Sequence, residues 1–496
     1  MFGGLKKTTS RLAIAAAAGF FIGGIAVSSA QAADLGGDCC ADLEERVAEL
    51  EATTVRKGNR KVSLELSGHV NRMIVYWDDD INDDIYFLDN SESETRFRLK
   101  GDASFAPGWT AGFLIEVEVV DGEGATANQL VDDATSSADG DADDNSEGAI
   151  NARKMSWHIK NDQLGKITVG RDSPATDDIN QINIADNPIA DGEIDNIRGF
   201  RLSRPEGTFG CNGASCVTTV TLNTIMANVD TRRANGIRYD SPSLFGLVIS
   251  AFYGEDDLAD IGIRYKKEWN SIQFVGGIGY LWDTDEDPDR TITCPQPGLG
   301  LANCVDERED LERLVGSASV MHVPTGLYVF VSGSHDQYGN FHNSSDGSAP
   351  QFLSPVLGEV APDDATAWAL QLGIKRPLLA PSIGKTTLWV EYAQWNDFGV
   401  NRNAASLGGY FTASNSEITD SSADRWGLGI VQDIDPAAMQ LYLGAFMHET
   451  DVRVATNGIA AGAPFANFNV PDNRPAGAKV PTNDIFTVQG GGKIKF

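Results

Sequence analysis

The stretch Arg96–Phe105 reads RFRLKGDASF and alternates strictly between two kinds of side chain. Its odd positions are apolar or small, and its even positions are charged or hydroxylated. This period of two predicts a β-strand with one apolar and one polar face. On a membrane-spanning strand, a cation facing lipid would cost ~2–4 kcal/mol near the bilayer midplane. Arg96, Arg98 and Lys100 are therefore expected to line a water-filled interior as a basic column.

The same alternation recurs from residue 60 to the C-terminus, where helical periodicity is absent. Each segment is about 9–12 residues long, which suits a tilted strand that crosses a bilayer, whereas a soluble sandwich uses strands of roughly 5–6 residues. The recurring apolar faces are Val62/Leu64/Leu66/Val70/Ile74, Ala111/Phe113/Ile115/Val117/Val119, Trp368/Leu370/Leu372/Ile374, Trp426/Leu428/Ile430, Met439/Leu441/Leu443/Ala445 and Phe486/Val488/Gly490/Gly492/Ile494/Phe496.

The connections between these segments alternate between short and long. The short ones are Ala106-Pro107-Gly108, Trp269-Asn270, Pro324-Thr325-Gly326 and Asp435-Pro436-Ala437, and the long ones run approximately over 78–93, 121–149, 172–195, 283–311, 337–363, 397–423 and 450–483. Short turns at one end and long loops at the other are typical of outer-membrane barrels. We expect an all-β fold, a transmembrane antiparallel barrel. It has about 18 strands if every candidate is real, or about 16 if a weak pair near 217–240 or 259–282 belongs to a loop, and its lumen holds water.

Composition and charge exclude several other classes of protein. The 496 residues include 39 Lys and Arg against 70 Asp and Glu, a net charge of −31, which argues against binding to nucleic acid. The catalytic and nucleotide-binding patterns G-x-S-x-G, P-loop and H-E-x-x-H are absent from the sequence. We therefore predict no enzyme, no cofactor and no metal site. The alternative of an outer-membrane hydrolase rests only on His335-Asp336 and His342, which lie close together in the sequence with serines nearby.

The N-terminal 58 residues are expected to lie outside the barrel. Residues 1–32 carry Lys6, Lys7 and Arg11, then an apolar run, then Ala30-Gln31-Ala32, which predicts a cleaved signal peptide and export. In residues 33–58, a periplasmic linker, apolar positions at 4-3-4 spacing over Asp42–Lys57 predict a short coiled-coil helix. Two heptads are too short to stand alone, so this helix packs on its own protein or associates with other copies. Residues 59–496 form the barrel.

Six cysteines suit an oxidising compartment. Cys211 with Cys216, and Cys294 with Cys304, have spacings suited to small loop disulfides. For the adjacent Cys39-Cys40, a vicinal disulfide, interchain bridges and free thiols all remain open.

Several stretches resemble the general porins. Asp38–Thr54 and Arg56–Leu64 are similar to the N-terminus of alphaproteobacterial general porins, and GKITVGRD at 165–172 and NGIRYDSP at 235–242 resemble motifs of Gram-negative porins at large. The resemblance implies an outer-membrane barrel, usually a homotrimer, that passes small hydrophilic solutes passively. It also implies that the segment after Gly170-Arg171 folds inward as a constricting loop, that Phe496 is a signal read by the barrel-assembly machinery, and that the N-terminus is a candidate for attachment to peptidoglycan.

The function then depends on charges in the lumen, because transport needs a hydrated constriction rather than a reactive group. The candidate basic residues are Arg96, Arg98, Lys100, Arg198, Arg201 and Arg238, and the candidate acidic residues of the constricting loop are Asp172, Asp177, Asp178, Asp191, Glu193 and Asp195.

The alternatives to a general channel are a sugar-type specific channel and a structural anchor of the outer membrane. A sugar-type channel needs a file of lumenal aromatics, for which Trp389 and Tyr442 are too few, and an anchor needs a filled barrel. The acidic clusters near 78–84 and 139–144 are expected to be solvated external loops, with divalent bridging of lipopolysaccharide as the alternative.

Overall fold

A computed structural model describes residues 62–120, 127–130, 149–190, 192–206, 216–255, 257–283, 310–339, 364–399, 416–456 and 478–496. The predicted signal peptide, the predicted helix and Cys39-Cys40 lie outside these ranges. No helix within them is long and apolar enough to span a membrane.

Nearly all of the regular structure in these ranges is β-strand. The strands are β1 Ser63–Asp78, β2 Asp83–Asp89, β3 Arg96–Ala106, β4 Trp109–Val120, β5 Ala149–Asn161, β6 Gly165–Asp172, β7 Arg201–Ser203, β8 Val217–Thr221, β9 Ala234–Asp240, β10 Leu247–Gly254, β11 Ala259–Trp269, β12 Ile272–Asp283, β13 Asp310–His322, β14 Leu327–Gly339, β15 Asp364–Arg376, β16 Thr386–Asn396, β17 Ser416–Ile434, β18 Met439–Thr456, β19 Ala478–Val480 and β20 Ile485–Lys495. Short helical turns lie at Ser91–Ser93, Asp195–Ile197, Leu222–Ile225 and Asp435–Ala437.

The strands form a closed antiparallel barrel of 16 strands, which confirms the lower of the two predicted counts. The barrel closes where β1 pairs with β20, from His69 opposite Lys495 to Asp78 opposite Phe486. The short strands β2 and β19 only extend the wall beside β1 and β18. Of the weak candidates, β8 belongs to a loop and pairs with β7, whereas β9, β11 and β12 are strands of the wall.

The predicted faces of the strands are confirmed. On β1, Leu66 and Ile74 are 57% and 49% exposed on the outer surface, whereas His69 and Asn71 point inward and are buried. Because successive side chains of a strand point to opposite faces, the same alternation puts apolar residues outside along every wall strand. The outside is therefore suited to lipid.

Short turns and long loops lie at opposite ends of the barrel, as predicted. One loop differs from the prediction: the connection between β6 and β9 covers residues 173–233 instead of ending at 195. Arg198 and Arg201, which the sequence placed beyond this loop, therefore lie within it. The connection from β10 to β11, residues 255–258, is a further departure because it is short at the long-loop end.

The described residues of 173–233, called the inner loop below, pack against inward-facing side chains of the wall. Phe200 stacks edge-on against Trp77, with ring centroids 5.6 Å apart. Ile189 belongs to the same buried cluster as the wall residues Trp389 and Phe446. Apolar burial of this kind stabilises by about 25 cal/mol per Å², so these contacts hold the loop inside the barrel. The expected inward fold of the segment after Gly170-Arg171 is confirmed.

Candidate functional site

Two adjacent cavities lie between the inner loop and the wall. The first has a volume of about 470 Å³ and is lined by charged residues of β3, β4 and β5 on one side and by the inner loop on the other. The second, of about 850 Å³, shares Lys154, Asp178, Gln181 and Asn183 with the first. The lumen is thus narrowed by the loop but remains open beside it.

One carboxylate organises the basic side of the first cavity. Glu116 on β4 is 1% exposed and stands directly across from Arg98 on β3. Its carboxylate accepts a hydrogen bond from Arg98 Nε and lies 3.5 Å from Arg96 Nη1. Lys100, the third member of the predicted column, lies 3.0 Å from Asp102 and is half-exposed. The column therefore faces inward as predicted, but it is partly neutralised by acids of the wall.

Two further cations of β5 face the lumen, and neither is among the residues predicted from the sequence; a β-bulge accounts for one of them. Lys154 pairs with Glu116 and Ala152 pairs with Val117, which leaves Arg153 as an extra residue in β5. Arg153 Nε donates to Glu116 Oε1 at 3.0 Å, and Arg153 Nη1 donates to Glu118 Oε2 at 2.8 Å. Lys154 lies 3.5 Å from Asp172. Strict alternation allows only one of two consecutive residues inside, so the bulge could not be read from the pattern.

The predicted acidic residues divide into three groups. Asp172, Asp177 and Asp178 line one or both cavities. Glu193 is absent from the linings of both cavities: it is buried within the loop and accepts a hydrogen bond from Gln181 Nε2 at 2.9 Å, so its role at the constriction stays a prediction. Asp191 lies outside the described residues, and Asp195 is described only as part of a helical turn.

The inner loop adds Asp230, which the sequence analysis also missed. It lies beside Asp177 and Asp178, and burial together with repulsion from Asp177 raises the pKa of both Asp178 and Asp230. Repulsion between like charges in a poorly hydrated place favours the neutral acid.

The hydrogen bonds that wall side chains make to the inner loop go chiefly to its backbone carbonyls. Arg238 Nη1 donates to the carbonyls of Ser173 and Pro174 at 3.0 and 2.9 Å. Further carbonyls of the loop accept from Arg264, Arg313, Lys375, Gln371 and Arg425. Arg238, predicted as a pore-lining cation, lines the second cavity. Its guanidinium N–H groups, however, bind the carbonyls of Ser173 and Pro174 and the carboxylate of Asp240.

The other predicted residues are placed as follows. Arg198 lines the first cavity, whereas Arg201 is absent from the linings of both described cavities. Cys216 is buried at the start of β8, and Cys211, Cys294 and Cys304 lie outside the described residues, so both disulfide pairings stay predictions. Phe496 is exposed on the outer face, and its backbone pairs with Gly68 on β1.

The histidine-based hydrolase alternative gains no support from the described residues. Asp336 points into the barrel and is bound to Arg313, with Nη2 and Oδ2 2.6 Å apart. His335, the preceding residue of the same strand, points to the opposite face. His342 lies outside the described ranges.

A closed barrel that is apolar outside and charged within, with open cavities beside an inward loop, defines a channel of the outer membrane. The family model of the Gram-negative porins matches residues 13–445. The chain belongs to this family, and it is an outer-membrane diffusion channel.

Solved structures of porins are similar in fold at low identity. An anion-selective porin from Comamonas acidovorans is 15% identical, with 88% of this chain and 100% of that chain covered and a TM-score of 0.46. OmpT of Vibrio cholerae is 10% identical, with 89% and 99% covered and a TM-score of 0.45. OmpF of Salmonella typhi, in complex with daunomycin, is 13% identical, with 89% and 99% covered and a TM-score of 0.44. No curated protein matches the chain.

Proposed function

We propose that the protein is a general channel for small hydrophilic solutes and ions, and that its selectivity is set in the first cavity. The observation that carries this proposal is the meeting of wall cations with loop carboxylates across one open space. Arg96, Arg98 and Arg153 line it from the wall, and Asp178 and Asp230 line it from the inner loop. A transverse field of this kind orients polar solutes without binding them tightly.

A sugar-specific channel is less well supported. Trp389 and Tyr442 point inward, as predicted, but they are 3% and 0% exposed beneath the inner loop. They cannot offer their faces to a passing sugar. A structural anchor is also less well supported, because the two cavities leave the described part of the lumen incompletely filled.

The experiment is to insert the purified, folded protein into a planar bilayer and record single-channel currents in a salt gradient. We expect stepwise ion conductance that millimolar sugar does not reduce. Saturable block of the ion current by one class of sugar would favour the specific channel. A folded protein that gives no conductance steps would contradict every channel reading and favour the anchor.

The basic column has a direct test. The triple variant Arg96→Gln, Arg98→Gln, Lys100→Gln should shift permeability toward cations by at least about 2–5-fold. That is the effect of one charge worth roughly 0.5–1 kcal/mol at ~4–8 Å in water, and acids of the wall already neutralise part of the column. Reversal potentials in a KCl gradient measure the shift. Lys267→Gln, which removes an exposed cation from the outer face of β11, is the matched control and should change nothing. An unchanged reversal potential in the triple variant would remove the column from the selectivity filter.

We further propose that the functional unit is a homotrimer with β1 and β20 at its interface. Arg72 is exposed on the outer face of β1, between the apolar Val70 and Ile74, and pairs across the sheet with Gly492. An arginine that faces lipid near the midplane would cost ~2–4 kcal/mol. A neighbouring protomer would shelter this side chain, and small residues such as Gly492 would let it approach.

Arg72→Leu distinguishes an interface from a lipid-facing surface. At an interface, losing the charge should weaken the association of the trimer by on the order of 1–2 kcal/mol. The temperature at which trimers dissociate on semi-native electrophoresis should then fall by several degrees. On a lipid-facing surface the same change should raise that temperature or leave it unaltered. Ile74→Leu, a volume-conserving change beside it, is the control.

The remaining predicted partners stay proposals. The exposed Phe496 at the end of β20 suits recognition by the barrel-assembly machinery, because the backbone pairing with Gly68 leaves the ring on the surface. Contacts with lipid and lipopolysaccharide suit the apolar outside. Attachment to peptidoglycan would involve the N-terminal segment, which lies outside the described residues.

A further inference from the structure

Three carboxylates of the inner loop lie together, although they are far apart in the sequence. Asp177, Asp178 and Asp230 each place a carboxylate oxygen within 4.8 Å of the others. Oxygens that ligate one Ca²⁺ lie at about 2.3–2.6 Å from it, so pairs of them are separated by up to about 5 Å. The spacing of the three oxygens therefore fits one shared ion.

Asp177 gives a second and separate indication. Its side chain is 1% exposed, and neither of its carboxylate oxygens has a hydrogen-bond partner among the described residues. Buried carboxylates are normally paired, hydrogen-bonded or bound to a metal. A side chain that is buried, unpartnered and beside two further acids is stabilised by a positive ligand, which is either a proton or a metal ion.

Among the described residues, the cationic side chains around the cluster, which are Arg264, Arg313, Lys154 and Arg233, make no ion pair with its three carboxylates. Lys154 instead lies 3.5 Å from Asp172. Arg264 directs its donors to the carbonyls of Ala175 and Asp177, not to the carboxylate of Asp177. Arg313 is held by Asp336 through two hydrogen bonds, at 2.8 and 2.6 Å, and by the carbonyl of Val229. Their fixed geometry leaves the three acids facing one another.

The site is also partly organised in advance. The Asp178 amide donates to Asp230 Oδ1 at 2.7 Å, and the Thr231 amide donates to the same oxygen at 2.9 Å. These contacts fix the Asp230 carboxylate at the junction where the two ends of the inner loop meet. Asp178 lines both cavities and Asp230 lines the first, so an ion can reach the site from the lumen.

We propose that Asp177, Asp178 and Asp230 bind one divalent cation, Ca²⁺, which joins the two ends of the inner loop and reduces the negative charge that this loop presents to the channel. All three ligands are carboxylates without sulfur or imidazole, which suits a hard cation. Ca²⁺ fits better than Mg²⁺, because Mg²⁺ demands near-octahedral geometry and gives up its waters reluctantly, whereas Ca²⁺ accepts irregular ligand sets.

The test is calorimetric titration of CaCl₂ into the intact, detergent-solubilised protein after treatment with chelator, so it requires no transport. We expect one additional Ca²⁺ per protomer in the wild type relative to Asp177→Asn, with a Kd of about 0.1–1 mM, as in extracellular calcium modules. Asp177→Asn and Asp230→Asn should each weaken this binding at least ~10-fold. Asp186→Asn, an acid that lines the same first cavity outside the cluster, should leave the Kd within about twofold.

A second measurement guards against variants that fail to fold. On wild-type protein alone, Ca²⁺ should raise the temperature of heat-induced unfolding above that in chelator, because a ligand that binds only the folded state stabilises it. Mg²⁺ at equal concentration should do so less. Equal Ca²⁺ binding by the wild type and Asp177→Asn would show that the ion binds elsewhere. If CaCl₂ up to ~10 mM gives no heat of binding and no thermal stabilisation, the three acids are neutralised by protons rather than by Ca²⁺. Either result overturns the proposal.

Discussion

Replacing Arg425 with Met is expected to destabilise the barrel by about 3–5 kcal/mol and to raise its single-channel conductance. Arg425 is buried on β17, where it donates to the carboxylate of Glu391 and to the carbonyl of Glu193 in the inner loop. Its guanidinium also lies 5.5 Å from the ring centres of Trp395 and Phe446. Removing one partner leaves Glu391 buried without its cation, and it detaches the inner loop at one point.

A second variant separates these two effects. Arg425→Met combined with Glu391→Leu removes both charges of the buried pair, and such replacements are often neutral for stability. The double variant should therefore regain most of the unfolding free energy, measured by denaturant titration, but keep the raised conductance, since the carbonyl of Glu193 still lacks its donor. Wild-type conductance in both variants would show that Arg425 does not hold the constriction.

Among single substitutions, Glu116→Gln is expected to have the largest effect on ion selectivity. The change is nearly isosteric, but it removes the one carboxylate shared by Arg96, Arg98 and Arg153. Three guanidinium groups are then left with less compensation in the first cavity. We expect permeability to shift toward anions by about 2–5-fold and the unfolding free energy to fall by about 2–4 kcal/mol.

Glu118→Gln provides the matched comparison on the same strand. Glu118 has a more exposed side chain than Glu116, and among the described residues it forms an ion pair with Arg153 alone. Its removal should shift the reversal potential in the same direction by less than half as much. Equal effects of the two variants would mean that only net charge matters, and that the central position of Glu116 does not.

The features that could be predicted from the sequence are those that depend on the local alternation of apolar and polar residues. The basic column Arg96, Arg98, Lys100 was found because inside and outside alternate along a single strand, and the cost of charge in lipid decides which side is which. The short turns at Pro107-Gly108 and Asp435-Pro436 followed in the same way. The barrel, the faces of its strands and the basic side of its constriction could thus be predicted from short segments of the sequence.

The rest depends on contacts between segments that are distant along the chain. Arg153 enters the lumen because a bulge shifts the register of β5, and no period of two indicates a bulge. Asp230 joins Asp177 and Asp178 only because the inner loop returns to its own start 52 residues later. No metal-binding motif in the sequence indicates this cluster, because the three acids share no regular spacing.

The attachment of the inner loop by its carbonyls has a consequence for how the channel can diverge during evolution. Every amino acid carries the same carbonyl, so Arg238, Arg264 and Arg313 recognise the path of the loop whatever its side chains are. Substitutions of loop residues that face the cavities, outside the buried apolar cluster, can then alter which solutes pass without displacing the loop. The arginines of the wall, by contrast, should tolerate little change, so we expect variation among close homologues to concentrate in the loop and to spare its anchors.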